Sequence, residues 1–298
     1  MLARALVDGR GTLDDKGQLV AVMAAVESLL ADGLAPARDV WLSFGSDEEV
    51  MGTCALAAVE LLRERGVRPW FVLDEGGAVA SDAFPGVTRS LGVVGVSEKG
   101  VLSLRLTASG RGGHASRPAK GGPAARIAAA ITRLERHPFP AHVSPATLEM
   151  LRRLAPHLPR PLRPVVERAD RFPGALARLL VAAGPEAAAL ARTTVAVTTL
   201  LGSPAINVSP TSVVAGLNLR IAVGETTADA TTRIRRVVGP DIDVEVADAH
   251  EPSPLSPVDD PAFTLLERTI TEVFAEAVPV PYVMYAATDA RHFTTICE

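Results

Sequence analysis

The sequence predicts an α/β protein in which a mixed, largely parallel-sheet domain is interrupted by an inserted ferredoxin-like α+β domain. Three observations predict it. Short apolar runs at Arg38–Phe44 and Arg68–Leu73 alternate with helix-period stretches at Leu19–Leu30 and Cys54–Glu64, the β-α-β rhythm of parallel strands. From Val93 the rhythm changes: Val101–Ser109 alternates, Ala124–Leu134 is helical, Thr193–Leu201 and Ser212–Val223 read as strands, Thr227–Val238 is helical and Asp241–Val246 alternates again. That order is the split β-α-β-β-α-β arrangement. Finally, the Pro-rich stretch Glu251–Pro261 leads into a helix at Phe263–Ala275, a strand at Val280–Tyr285 and a helix starting at Asp289. The implied division is residues 1–94 with 251–298 as one domain and 95–250 as the insert, which carries its own helical segment at about 138–192.

Each element has a local reason. The glycines of Gly9-Arg10-Gly11-Thr12-Leu13-Asp14-Asp15-Lys16-Gly17 permit a tight turn, and the apolar period beginning at Leu19 starts a helix just after Lys16. Asp14 therefore sits at a strand-to-helix junction. Leu56, Val59, Leu61 and Leu62 give the second helix its apolar face, and Gly66 stops it. Within 138–192, helices are expected at Ala146–Leu154 and Gly174–Ala191, with Pro156, Pro159, Pro161 and Pro164 breaking the chain between them. This segment is expected to pack over the inserted domain or at a substrate entrance. Pro281 removes one ladder donor and weakens the case for a strand there.

Composition narrows the function. A chain of 298 residues with 48% hydrophobic content can bury a sizeable core. Its net charge of −4 offers nucleic acid no footing. Cys54 and Cys297 have no metal-ligand spacing, and a cytoplasmic location is the default expectation. The first ten residues do not read as a signal peptide, and no apolar run reaches membrane-span length before a charge or proline interrupts it. The expected partners therefore include neither nucleic acid nor a membrane.

The chemistry lies in three acidic blocks. Asp14, Glu48 and Glu49 of Asp47-Glu48-Glu49, and Asp74 of Leu73-Asp74-Glu75-Gly76-Gly77 each follow an expected strand end, where ligands collect in open α/β sheets. Four converging acids repel one another unless a cation joins them, and a divalent metal explains them economically. Taken alone, Asp47-Glu48-Glu49 also suits a solvated cluster at a helix N-terminus.

Together, GRGTLDDKG, SDEEVMG and LDEGG, followed by Gly112-Gly113-His114-Ala115-Ser116, resemble the M20 family of di-zinc metallopeptidases and aminoacylases, in particular its carboxypeptidase S-like branch, which includes N-acyl amino acid hydrolases. The resemblance implies two zinc ions per subunit, with Asp14 bridging them, Glu49 and Asp74 each binding one, and Glu48 as general base. It also implies that the inserted domain is a lid that forms a homodimer. His114 then reaches across the dimer to stabilise the oxyanion, Asn207 and Arg220 hold the free carboxylate of the substrate, and Thr288 and Arg291 belong to a substrate-side turn.

The chain also departs from the family pattern. A His-x-Asp motif is expected upstream, but only eight residues precede Gly9 and none is His. The family's last metal-binding His lies beyond Thr288-Asp289-Ala290-Arg291, and the chain ends at Glu298. His292 is not taken as its substitute. The expectation is a chain truncated at both ends relative to the family, holding zinc weakly and nearly inactive, because all-oxygen sites favour harder cations. The competing readings are a non-catalytic dimerisation or binding protein and a carboxylate-only site for magnesium or manganese.

Overall fold

The computed structural model describes residues 14–50, 52–84 and 86–297; Gly9–Leu13 of the first acidic block lie outside them. The chain gathers into two compact units, Met1–Gly76 with Thr288–Glu298, and Gly77–Ala287.

The first unit contains helix α1 (Lys16–Ala31), a single 3₁₀ turn (Glu48–Val50), helix α2 (Cys54–Glu64) and the short helix α10 (Ala290–Phe293). Ala55, Val59 and Leu62 of α2 pack on Phe293 and Ile296. The two expected strands do not form here: residues 39–45 and 71–74 have no sheet pairing among the described residues. Apolar, β-branched sequence makes a strand only where a neighbouring backbone supplies ladder partners. Val40, Trp41, Phe44 and Leu73 remain exposed.

The second unit holds two sheets. In the smaller, β1 (Ala78–Ala80) runs antiparallel to β2 (Leu91–Glu98), and β2 runs parallel to β9 (Val278–Met284). β9 forms despite Pro279 and Pro281 because it is an edge strand of this sheet, the place where a missing N–H costs least. Helices α4 (Pro145–Leu154), α5 (Arg163–Glu167), α6 (Pro173–Ala182) and α7 (Pro185–Ala191) bury Leu151, Leu154, Val166, Leu176 and Leu180 in one cluster with Leu91 and Val280. The helical segment thus shares its core with the three-stranded sheet. The single helix expected over Gly174–Ala191 is two, broken where Gly184 takes φ +126° and Pro185 starts α7 without an N–H to donate.

The larger sheet follows the predicted β-α-β-β-α-β order: β3 (Gly100–Ser109), α3 (Pro123–Arg136), β5 (Thr194–Leu201), β7 (Ser212–Ile221), α8 (Thr227–Val238) and β8 (Asp243–His250). Its spatial order is β5-β7-β3-β8, antiparallel throughout. Register pairs Leu102 with Leu219 and Leu104 with Leu217, so one face is continuously apolar and closes on Ile127, Ala130, Ile234 and Val238 of α3 and α8. Asn218 and Arg220 alternate onto the other face. A two-stranded ribbon pairs β4 (Gly113–His114) with β6 (Val208–Ser209). Among the described residues no helix is long and apolar enough to cross a membrane.

Candidate active site

In the first unit the acidic blocks divide their labour. Asp47 caps α2, accepting from Thr53 N at 2.8 Å and Cys54 N at 3.3 Å; hydrogen bonding from the Cys54 side chain, followed by these N–H groups, holds its carboxyl below the usual range. A side chain at Gly52 would run into this carboxylate. The helix-capping reading of the block therefore belongs to Asp47, while Glu48 and Glu49 occupy the 3₁₀ turn beside it. Burial raises the pKa of Glu48 above its ordinary value, and Asp289, Glu49 and Asp14 push the same way against Arg291.

Asp74 joins this cluster to the end of the chain. Its Oδ1 accepts from Glu75 N at 2.9 Å and its Oδ2 from Ala290 N at 2.7 Å, at the start of α10. Glu75 is pushed up to about 7 by burial first, then by the charges of Asp14, Glu48, Asp15 and Asp74. Asp289 is raised by burial and by Asp74, with His292 and Arg291 opposing. Thr288 is buried, and Arg291 Nε lies 3.2 Å from His292 Nε2. The fold thus brings Asp14, Glu48, Asp74, Thr288 and Arg291 into one neighbourhood. Glu75 and Asp289 are members that sequence reasoning did not single out. Both stand directly beside residues it did name, so adjacency was the available signal. The peptide between Asp14 and Asp15 is cis.

Asp74 gives a direct test of this anchoring. Asp74→Ala should destabilise the unit by about 1–3 kcal/mol, the cost of leaving an N–H without its charged acceptor. It should also speed hydrogen exchange at Ala290. Unchanged exchange there would show that the contact does not hold α10.

In the second unit the ribbon aligns two predicted residues. His114 pairs in register with Val208, and Ala115 N donates to Asn207 O at 3.0 Å. Ser116 N donates to His114 Nδ1 at 3.2 Å, and the Ser116 hydroxyl lies 2.9 Å from the same nitrogen. Nδ1 therefore carries the lone pair, leaving the neutral ring its proton on Nε2. Arg220 is not part of this grouping. It stands at the far end of β7, eight residues beyond Ser212, or roughly 27 Å along an extended strand.

Carboxylates held together against mutual repulsion have the chemistry to take a divalent cation, but no three His, Cys, Asp or Glu side chains among the described residues converge on one ion position. The model for peptidase family M20/M25/M40 matches residues 5–297. The chain belongs to this family.

This M20 chain is similar to human N-fatty-acyl-amino acid synthase/hydrolase PM20D1, with 34% identity covering 98% of this chain and 59% of that protein. It is 32% identical to probable carboxypeptidase S-like 2 of Dictyostelium discoideum, covering 97% of this chain and 56% of that one. Similarity extends to carboxypeptidase S of Saccharomyces cerevisiae, with 28% identity over 91% of this chain and 52% of that one. The chain therefore spans less than three fifths of the length of these relatives. Among solved structures, human carnosine dipeptidase 1 shares the fold at TM-score 0.59 and 17% identity, covering 97% of this chain and 64% of that one. The di-peptidase Dug1p from Saccharomyces cerevisiae does so at 0.56 and 12%, covering 97% and 64%. The fold is mixed α/β.

Proposed function

We propose that this M20 chain hydrolyses the amide bond of an N-acyl amino acid or short peptide bearing a free carboxylate, at a divalent-cation site built from Asp14, Glu49 and Asp74. The observation that carries this reading is the gathering of acids from separate chain segments beside Arg291 in one unit. A bound cation would polarise the scissile carbonyl and make water a better acid. Glu48 takes the proton of the attacking water and returns it to the leaving amine. His114, with its proton on Nε2, donates to the carbonyl oxygen as negative charge develops there. Arg220 and Asn207 orient the substrate carboxylate, Arg220 through its planar fork. Thr288 and Arg291 line the substrate side of the acidic cluster.

The separation of His114 and Asn207 from Arg220 supports a homodimer in which one copy's ribbon serves the other copy's substrate. β5 is the fitting contact: it is a sheet edge, and Leu200 and Leu201 near its end are exposed, whereas the opposite edge, β8, carries Asp243, Glu245 and Asp248. An uncovered apolar edge invites pairing, and a charged one discourages it. The proposed donors are all oxygen, which suits magnesium or manganese better than zinc. We therefore propose weak zinc occupancy and turnover that needs excess metal.

The test is release of free amino acid from an N-fatty-acyl amino acid by the purified chain, supplied in turn with zinc, manganese, magnesium or a chelator. Metal-dependent release that the chelator abolishes is the expected result. A chain that dimerises and binds these metals yet releases nothing with any of them would replace hydrolysis by the non-catalytic binding reading.

A further inference from the structure

The helical segment of the second unit carries a surface that the proposed reaction does not use. Between Pro156 and Gly184 five arginines accompany two acids, in a chain whose overall charge is −4. Basic charge is thus concentrated on a molecule that is otherwise acidic. The segment turns Leu158, Val166, Ala169, Leu176 and Leu180 inward, onto the cluster shared with the three-stranded sheet. It turns Leu162, Val165, Phe172 and Leu179 outward, and Phe172 is 65% exposed. Arg160, Arg168, Arg171 and Arg178 are exposed between these apolar side chains. Among the described residues none of the four forms an ion pair, whereas Arg152 and Arg153 on the neighbouring α4 are paired with Glu149, Asp170 and Glu267.

We propose that this face of residues 160–179 is a peripheral docking surface for an anionic lipid layer. Exposed apolar side chains interleaved with arginine every few residues suit the boundary between headgroups and acyl chains. There an aromatic ring and aliphatic side chains enter the apolar edge while guanidinium groups reach the phosphate level. Charge decides among occupants. Anionic headgroups complement the unpaired arginines, whereas a second copy docking through the same face would set arginines against arginines. The prolines at 159, 161, 164 and 173 fix the backbone, so little ordering cost accompanies contact. The inference does not depend on the catalytic reading, because none of its residues belongs to the acidic cluster, the ribbon or Arg220.

The test is co-sedimentation of the full chain with phosphatidylcholine vesicles containing about 30 mol % phosphatidylserine, beside pure phosphatidylcholine vesicles and a soluble polyglutamate. Binding to the anionic vesicles should exceed binding to neutral ones at least about fivefold and should weaken with salt. The double variant Arg168→Glu/Arg171→Glu should bind more than about tenfold more weakly, and Phe172→Ser should also lose affinity. Arg236→Glu, an exposed change on α8, should bind like the wild type. All four substituted positions are exposed, so circular dichroism should show an intact fold in each of the three variants. Equal binding to neutral and anionic vesicles, wild-type binding by the double variant, or capture of polyglutamate without any vesicle binding would each overturn the proposal.

Discussion

Glu48→Gln is expected to lower metal-dependent amide hydrolysis by about 10²–10⁴-fold, the usual contribution of a positioned general base. The carboxamide keeps the size of the side chain in the 3₁₀ turn and removes only its capacity to accept and return a proton. Metal affinity should hardly change, because Asp14, Glu49 and Asp74 are the proposed ligands. Measuring metal binding beside kcat therefore separates the two roles: Glu49→Ala should lose metal and turnover together, whereas Glu48→Gln should lose turnover alone. The substitution also removes one negative charge from a cluster whose members raise one another, so the variant should be no less stable than the wild type. Turnover within threefold of wild type at saturating metal would remove Glu48 from the mechanism.

The second large effect concerns Lys99, the single residue between β2 and β3, where the chain passes from one sheet to the other. It is 3% exposed, its Nζ donates to Arg192 O at 2.7 Å, and it lies 5.8 Å from the centre of the Tyr285 ring. Burial pushes this amine down to about 8 from 10.5; Glu225 pulls the other way and Arg220 adds to the push. Glu225 is itself held by the Thr193 hydroxyl at 2.5 Å and faces His142.

Between those two values the unfolded chain keeps a proton that the folded chain has released, so stability rises with pH across the window. It is gained in full above about 10.5 and lost below about 8. The size is about 3 kcal/mol. Tyr285, Tyr282 and Cys297 are raised by burial and act oppositely, because the folded chain holds their protons longer. The informative quantity is therefore the difference between wild type and Lys99→Met in urea unfolding at pH 7.5 and pH 10. That difference should shift by about 2 kcal/mol in favour of the wild type at the higher pH, most of the full effect, because at pH 10 the unfolded chain still keeps part of its proton. The same difference at both pH values would mean that Lys99 is solvated in the folded chain.

Local rules sufficed wherever an element obtained its partners from nearby chain or from a strict period. Val101–Ser109 was legible as a strand because alternate residues are buried against α3 and α8, and a period of two admits no other regular element. The acids were legible because several stand together in each short block. Rules of the same kind failed for Arg38–Phe44, where apolar composition did not reveal whether a ladder partner would be present. They failed again for Gly174–Ala191, where helical propensity on both sides concealed the break at Gly184-Pro185.

By itself the sequence determined the mixed α/β class and the β-α-β-β-α-β order, which follow from periodicity and short-range spacing, together with the residue types available for chemistry and, through the resemblance of its motif blocks, the family. Only the tertiary structure decided how those residues are grouped. It placed Asp74 on the amide of Ala290, 216 positions away, aligned His114 beside Asn207 through a two-residue ribbon and set Arg220 at the opposite end of its strand. The physical reason is that these contacts join segments far apart in the chain. Their formation depends on how whole sheets and helices close over their cores, which no local pattern encodes.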